Sequence, residues 1–265
     1  MEPTIIVIPA EGDSPETTIW YIKALKLHCK AKHKKVPQIL VFEHDCSAAA
    51  VKMGVALSTQ LQVRKFIAKN DFTTAEIHAQ GGLGAYVAYE FLRYCDIQDA
   101  LDHYGRKITL SRVFMIGGAP SSAMTWMAKW FHCCFVHLWY HMQWLVPFFA
   151  DDPPNSQCAE EIEKIRNLST QFMRANPELY RDQLLFIGDW RIPDDWRVAH
   201  DQKVWYVPNG ETLRSKWRDN TYNDTKAKAE WAKHGVNSTA RPDDNFSFYS
   251  MMPAEALFYV MHWAY

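Results

Sequence analysis

No Cys-x-x-Cys pair occurs in this chain, and its six cysteines are scattered apart from the adjacent Cys133-Cys134. That spacing excludes a disulfide framework and points to a reducing compartment. The first residues show no basic segment leading into an apolar core, so no secretory signal is read and a cytoplasmic location is expected. Charge of one sign is also lacking, with 29 Lys and Arg against 30 Asp and Glu. This balance leaves no electrostatic footprint for nucleic acid. One local exception, Lys26 to Lys35, reads as a solvated helix end and loop, with contact to an anionic surface as the alternative. Internal repeats and low-complexity tracts are missing.

From Phe131 to Ala150 no formally charged residue occurs, a length close to a membrane span. His132, His137, His141 and Gln143 lie within it and Pro147 interrupts it, so no transmembrane helix is expected. Peripheral contact with a membrane stays open. Cys133, His137 and His141 share one helix face at i, i+4 and i+8, and they are the residues to consider for zinc. Three ligands along one straight helix span more than a turn and converge poorly on one ion. No metal and no cofactor are therefore expected.

What the chain does have is aromatic surface to bury, including 11 Trp. Large aromatics are costly to leave in water, so a lined cavity or an interface is expected. The 265 residues suffice for one large domain with a full core, and residues 1–265 are read as such. Apolar runs at Thr4–Ile8, Gln38–Phe42, Thr74–His78, Arg112–Ile116, Leu184–Ile187 and Lys203–Val207 read as strands. Helical patterns cover Ser14–Cys29, Ala48–Ala68 and Leu83–Tyr94, the first opening with Ser14-Pro15 as cap and first-turn proline. Strands alternating with helices predict a mainly parallel sheet covered on both faces. An insertion over about 124–177, rich in Trp126, Trp130, Phe135, Trp139 and Trp144, reads as a helical lid above the carboxyl ends of the strands.

The sharpest feature is the turn between the third strand and its helix. Gln80-Gly81-Gly82-Leu83-Gly84 has the outline of a nucleophile elbow, Gly-x-Ser-x-Gly, with Gly82 in the serine's place. The same glycines do not complete a dinucleotide fingerprint, because the third glycine of Gly82-x-Gly84-x-x-Val87 is absent and the unit is not the first βαβ.

In order, these motifs resemble the thioesterase group of α/β-hydrolases. Pro9-Ala10-Glu11-Gly12-Asp13 resembles its Pro-Gly-Ala-Gly-Gly turn. Gly81 to Glu90 resembles His-Ser-Leu-Gly-Gly-x-x-Ala-Tyr-Glu, and Arg112 to Pro120 resembles the next strand with its Gly-Gly-x-x-Pro edge. The resemblance implies an α/β-hydrolase fold with a lid, and a serine, histidine and acid acting on a thioester. It also implies an oxyanion hole from the backbone of Leu83 with Ala10 or Glu11.

The triad positions depart from that pattern. Gly82 replaces the serine. Gly188-Asp189-Trp190-Arg191 puts Arg191 in the acid slot, with Asp189 two positions early. The histidine slot falls on Glu211 in Pro208-Asn209-Gly210-Glu211, or on Asn245 in Asp243-Asp244-Asn245-Phe246. The expected function is thus a thioesterase-like protein without catalysis that binds an acyl or other apolar ligand or a protein partner. One alternative is a working hydrolase whose nucleophile has moved to Cys46 or Ser121. Another is an interaction protein that dimerises through its aromatic lid.

Overall fold

A computed structural model describes residues 3–10, 15–31, 33, 35–44, 48–101, 105–124, 171, 175, 183, 185–208 and 223–238. Within them six parallel strands form one sheet: β1 (Thr4–Ile8), β2 (Ile39–Val41), β3 (Thr74–Gln80), β4 (Thr109–Ile116), β5 (Val204–Val207) and β6 (Asn237–Ser238). Their order across the sheet is β2-β1-β3-β4-β5-β6. The α/β reading of the sequence is therefore what the chain adopts.

Strand periodicity sorts the side chains onto two faces. On one, Ile6, Ile8, Ile77, Ala79, Val113 and Met115 join the main core beneath α3 (Val55–Lys69) and α4 (Gly81–Ala100). On the other, Ile5 and Val7 meet Tyr21 and Leu25 of α1 (Pro15–Ala31). Helices thus cover both faces, as the apolar runs of a parallel sheet require. α1 begins at Pro15, whose missing N–H costs nothing in a first turn. Residues Gly81 to Leu92 of α4 are all buried, so this helix is wrapped rather than laid on the surface.

Two expected elements are corrected. The single helix over 48–68 is two, α2 (Ala48–Met53) and α3, separated by Gly54 at φ +88°. A left-handed residue cannot carry an α-helix onward. The expected strand Leu184–Ile187 is absent, since residues 185–189 are helical. A four-residue apolar run is equally compatible with a buried helical turn, and here that alternative wins. The fifth strand of the sheet is instead Val204–Val207, followed by α5 (Asp224–Lys233) and β6. Of the lid span, only Met124, Gln171 and Ala175 are described. Trp126, Trp130, Phe135, Trp139 and Trp144 lie outside the described residues.

Candidate functional site

Strand order sets where a site can form. β1 and β3 are neighbours, yet the chain leaves β1 for the α1 face and leaves β3 for the α4 face. Between their carboxyl ends lies a topological switch point, the usual crevice for ligands in open α/β sheets.

The turn into α4 occupies that edge. Gln80 is extended (φ −106°, ψ 140°), Gly81 turns left-handed at φ +64°, and the helix begins at once. The strained position is thus Gly81, one residue before Gly82. Only glycine reaches such a φ without penalty. The turn is also pressed between its neighbours. A methyl on Gly84 would sit 3.2 Å from Ile8 O and 3.3 Å from Pro9 O, and one on Gly118 would overlap Gly81 O at 1.9 Å. The ends of β1, β3 and β4 therefore meet backbone to backbone. Neither Gly81 nor Gly82 presents a side chain, so the apex carries no nucleophile whichever residue is taken as its tip.

Ala10 and Leu83, read as oxyanion donors, are both buried at this edge, Ala10 just past β1 and Leu83 in the first turn of α4. A helix N-terminus directed at a crevice favours an anion or a carbonyl oxygen. Glu11 lies outside the described residues, as do Glu211, Asn245, Cys46, Cys133, His137 and His141. Asp189 and Arg191 are described and both are exposed, Asp189 as the last residue of the helical turn 185–189 and Arg191 two residues beyond it, instead of after a strand. Among the described residues no cluster of three His, Cys, Asp or Glu has metal-binding geometry.

The relocated-nucleophile candidates have few helpers. Ser121 is buried, its N–H donates to Trp190 O at 2.9 Å, and its hydroxyl has no hydrogen-bond partner among the described residues. Among the described residues no imidazole is hydrogen-bonded to it to take its proton. His44, two residues before Cys46, has its Nε2 on the Thr59 hydroxyl at 2.8 Å. Cys95 is buried, and burial followed by the charges of Asp96 and Asp99 pushes its thiol up to about 12, which keeps it protonated.

Behind the turn lies a chain of polar side chains that sequence reading did not assemble. Glu76 and His78 of β3 are fully buried and share one face. His78 Nε2 is 2.7 Å from Glu76 Oε1, His78 Nδ1 is 2.8 Å from the Tyr21 hydroxyl, and Arg112 of β4 forms an ion pair with Glu76 Oε2 at 2.6 Å. The carboxylate assigns the tautomer: Nε2–H donates to Glu76, and Nδ1 accepts from Tyr21. Burial alone would raise the Glu76 carboxyl, but the His78 hydrogen bond and the nearby charges, Arg112 among them, hold it below the usual carboxylate range. Burial, then the Glu76 charge, drives the Tyr21 phenol well above its ordinary value. The signal in sequence was the pair Glu76 and His78 at i, i+2 in an otherwise apolar strand. With both imidazole nitrogens engaged inside the sheet, His78 is a structural residue and not a poised base.

No protein-family model matches the chain, and none of the curated proteins matches it significantly. Solved structures do match. A hydrolase from Oleispira antarctica aligns over 99% of this chain and 92% of its own at 9% identity, with a TM-score of 0.59. The epoxide hydrolase CorEH aligns over 100% and 90% at 13% identity, with a TM-score of 0.58. BorB, a type II thioesterase from the borrelidin biosynthetic cluster, aligns over 98% and 90% at 14% identity, with a TM-score of 0.53. At such identities the likeness is one of fold, and the fold is that of the α/β-hydrolases.

Proposed function

We propose that this chain is a non-catalytic protein on a thioesterase-like α/β-hydrolase scaffold, binding an acyl or other apolar ligand at the switch point between β1 and β3. The observation that carries the reading is the pair Gly81 and Gly82 at the strand-to-helix turn, which has the shape of a nucleophile elbow and no side chain to attack with. The sequence supports it further, since neither frame of the histidine slot, Glu211 or Asn245, supplies an imidazole and Arg191 stands in the acid slot. Without nucleophile and base a triad cannot run acyl transfer, since the three act as a unit. A helix N-terminus at this edge favours a carbonyl or carboxylate oxygen, and the sequence of residues 124–177 is rich in aromatic side chains suited to an apolar ligand.

Calorimetric titration with a long-chain acyl-CoA and with the free fatty acid tests this reading. Saturable binding, accompanied by quenching of tryptophan fluorescence, is the expected result. A chain that ignores both ligands and runs as a dimer in light scattering would replace ligand binding by association through the aromatic segment. Turnover lost on Cys46→Ala or Ser121→Ala would instead establish a relocated nucleophile.

A further inference from the structure

Residues 15–69, which build α1, β2, α2 and α3, hold ten Lys and Arg against three Asp and Glu. This stretch is therefore net +7, while the rest of the chain is net −8. β2 is the edge strand, so the positive charge gathers at one end of the sheet. The asymmetry is hidden in the near-neutral total.

On the same end, large apolar side chains face water. Met53 is 47% exposed, Leu57 52% and Leu61 43%. Only Ile19 and Leu101 join them as exposed large apolar residues among those described, so three of five fall within nine consecutive positions. Leu57 and Leu61 are one turn apart on the outer side of α3, whose inner side places Val63 and Ile67 in the core. Lys52, Lys65 and Lys69 are exposed beside them, and α2 and α3 contain no acidic residue. Among the described residues the bordering exposed acids are Glu43, after β2, and Asp71, which is paired to Arg106 at 3.0 Å; Asp45 lies outside the described residues.

We propose that the outer face of α2 and α3 is a peripheral docking surface for an anionic lipid bilayer. Apolar side chains in a row, flanked by cations and free of anions, fit shallow insertion at the headgroup boundary with ammonium groups on the lipid charges. Exposed Lys26, Lys30 and Lys35, at the end of α1 and in the loop beyond it, extend the positive field that steers approach. A stable protein interface needs about 800 Å² per partner, more than three half-exposed side chains supply.

Co-sedimentation of the full chain with vesicles tests this directly. The chain should bind phosphatidylcholine vesicles containing phosphatidylserine, should ignore pure phosphatidylcholine, and should release as salt is raised. Each cation near an anionic leaflet is worth about fivefold in binding, so Lys52→Gln/Lys65→Gln/Lys69→Gln should weaken it on the order of a hundredfold. Leu57→Gln/Leu61→Gln should also abolish most binding while leaving the circular dichroism spectrum unchanged. Lys226→Gln, exposed on α5, should change nothing. Equal affinity for neutral and anionic vesicles, binding indifferent to the leucine pair, or retention on immobilised polyglutamate without vesicle binding would each overturn the proposal.

Discussion

Glu76 shows how a charge can sit inside a sheet and what it costs to disturb it. Its carboxylate bridges His78 on its own strand and Arg112 on the next, and Tyr21 closes the chain from α1. Replacing it removes one partner of a buried ion pair and leaves the other uncompensated. Glu76→Gln should therefore lower the unfolding free energy by roughly 3 kcal/mol in denaturant titration. The sign of the pH effect follows from a folded carboxyl held below its unfolded value. Its contribution is full above the unfolded pKa and is lost as pH falls through the folded one, below the ordinary glutamate range. The melting temperature of Glu76→Gln should consequently fall less than that of the parent between neutral and acid pH, and an equal fall would contradict the assignment. At the turn, Gly82→Ser restores a hydroxyl but no base, because His78 is committed inside the sheet. Multiple-turnover ester hydrolysis by that variant would require a hidden imidazole, with His200 and His234 the first to replace.

At the scale of elements, the runs Thr4–Ile8 and Val113–Ile116 were legible because a buried parallel strand is largely apolar and these end at Pro9 and Gly117. Residues 185–189 were not, since a short apolar run carries no period that separates strand from helix. Gly54 was passed over inside a helical pattern because its left-handed φ is a property of the backbone, invisible in composition. The turn at 80–84 was legible as an elbow, but not how tightly β4 closes on it. That closeness makes Gly118 a sensitive position. Gly118→Ala drives a methyl into Gly81 O and Ala85 Cβ, and should cost about 3 kcal/mol. Gly54→Ala meets no atom within 4 Å and should cost only about 1 kcal/mol, from its φ alone. Urea unfolding followed by circular dichroism compares the two; equal losses would mean that the β4 loop yields freely at Gly118.

Over the whole molecule, the six described parallel strands, in the order β2-β1-β3-β4-β5-β6, place a switch point beside a helix N-terminus, and the glycine turn marked that edge in the sequence. Sequence reading took Leu184–Ile187 for the strand after β4, whereas residues 185–189 are helical and the strand paired with β4 is Val204–Val207. The buried polar chain around His78 was likewise out of reach, as it joins residues from α1, β3 and β4 that no local pattern connects. At its apex the described turn presents Gly81 and Gly82 and no reactive side chain. Under the proposed function this turn holds a ligand without cleaving it. Incubating the purified chain with a long-chain acyl-CoA and following thiol release over many protein equivalents is the decisive measurement. Release no faster than in buffer, at ligand concentrations that saturate binding, is the expected result. Sustained turnover that scales with protein concentration and survives further purification would contradict it.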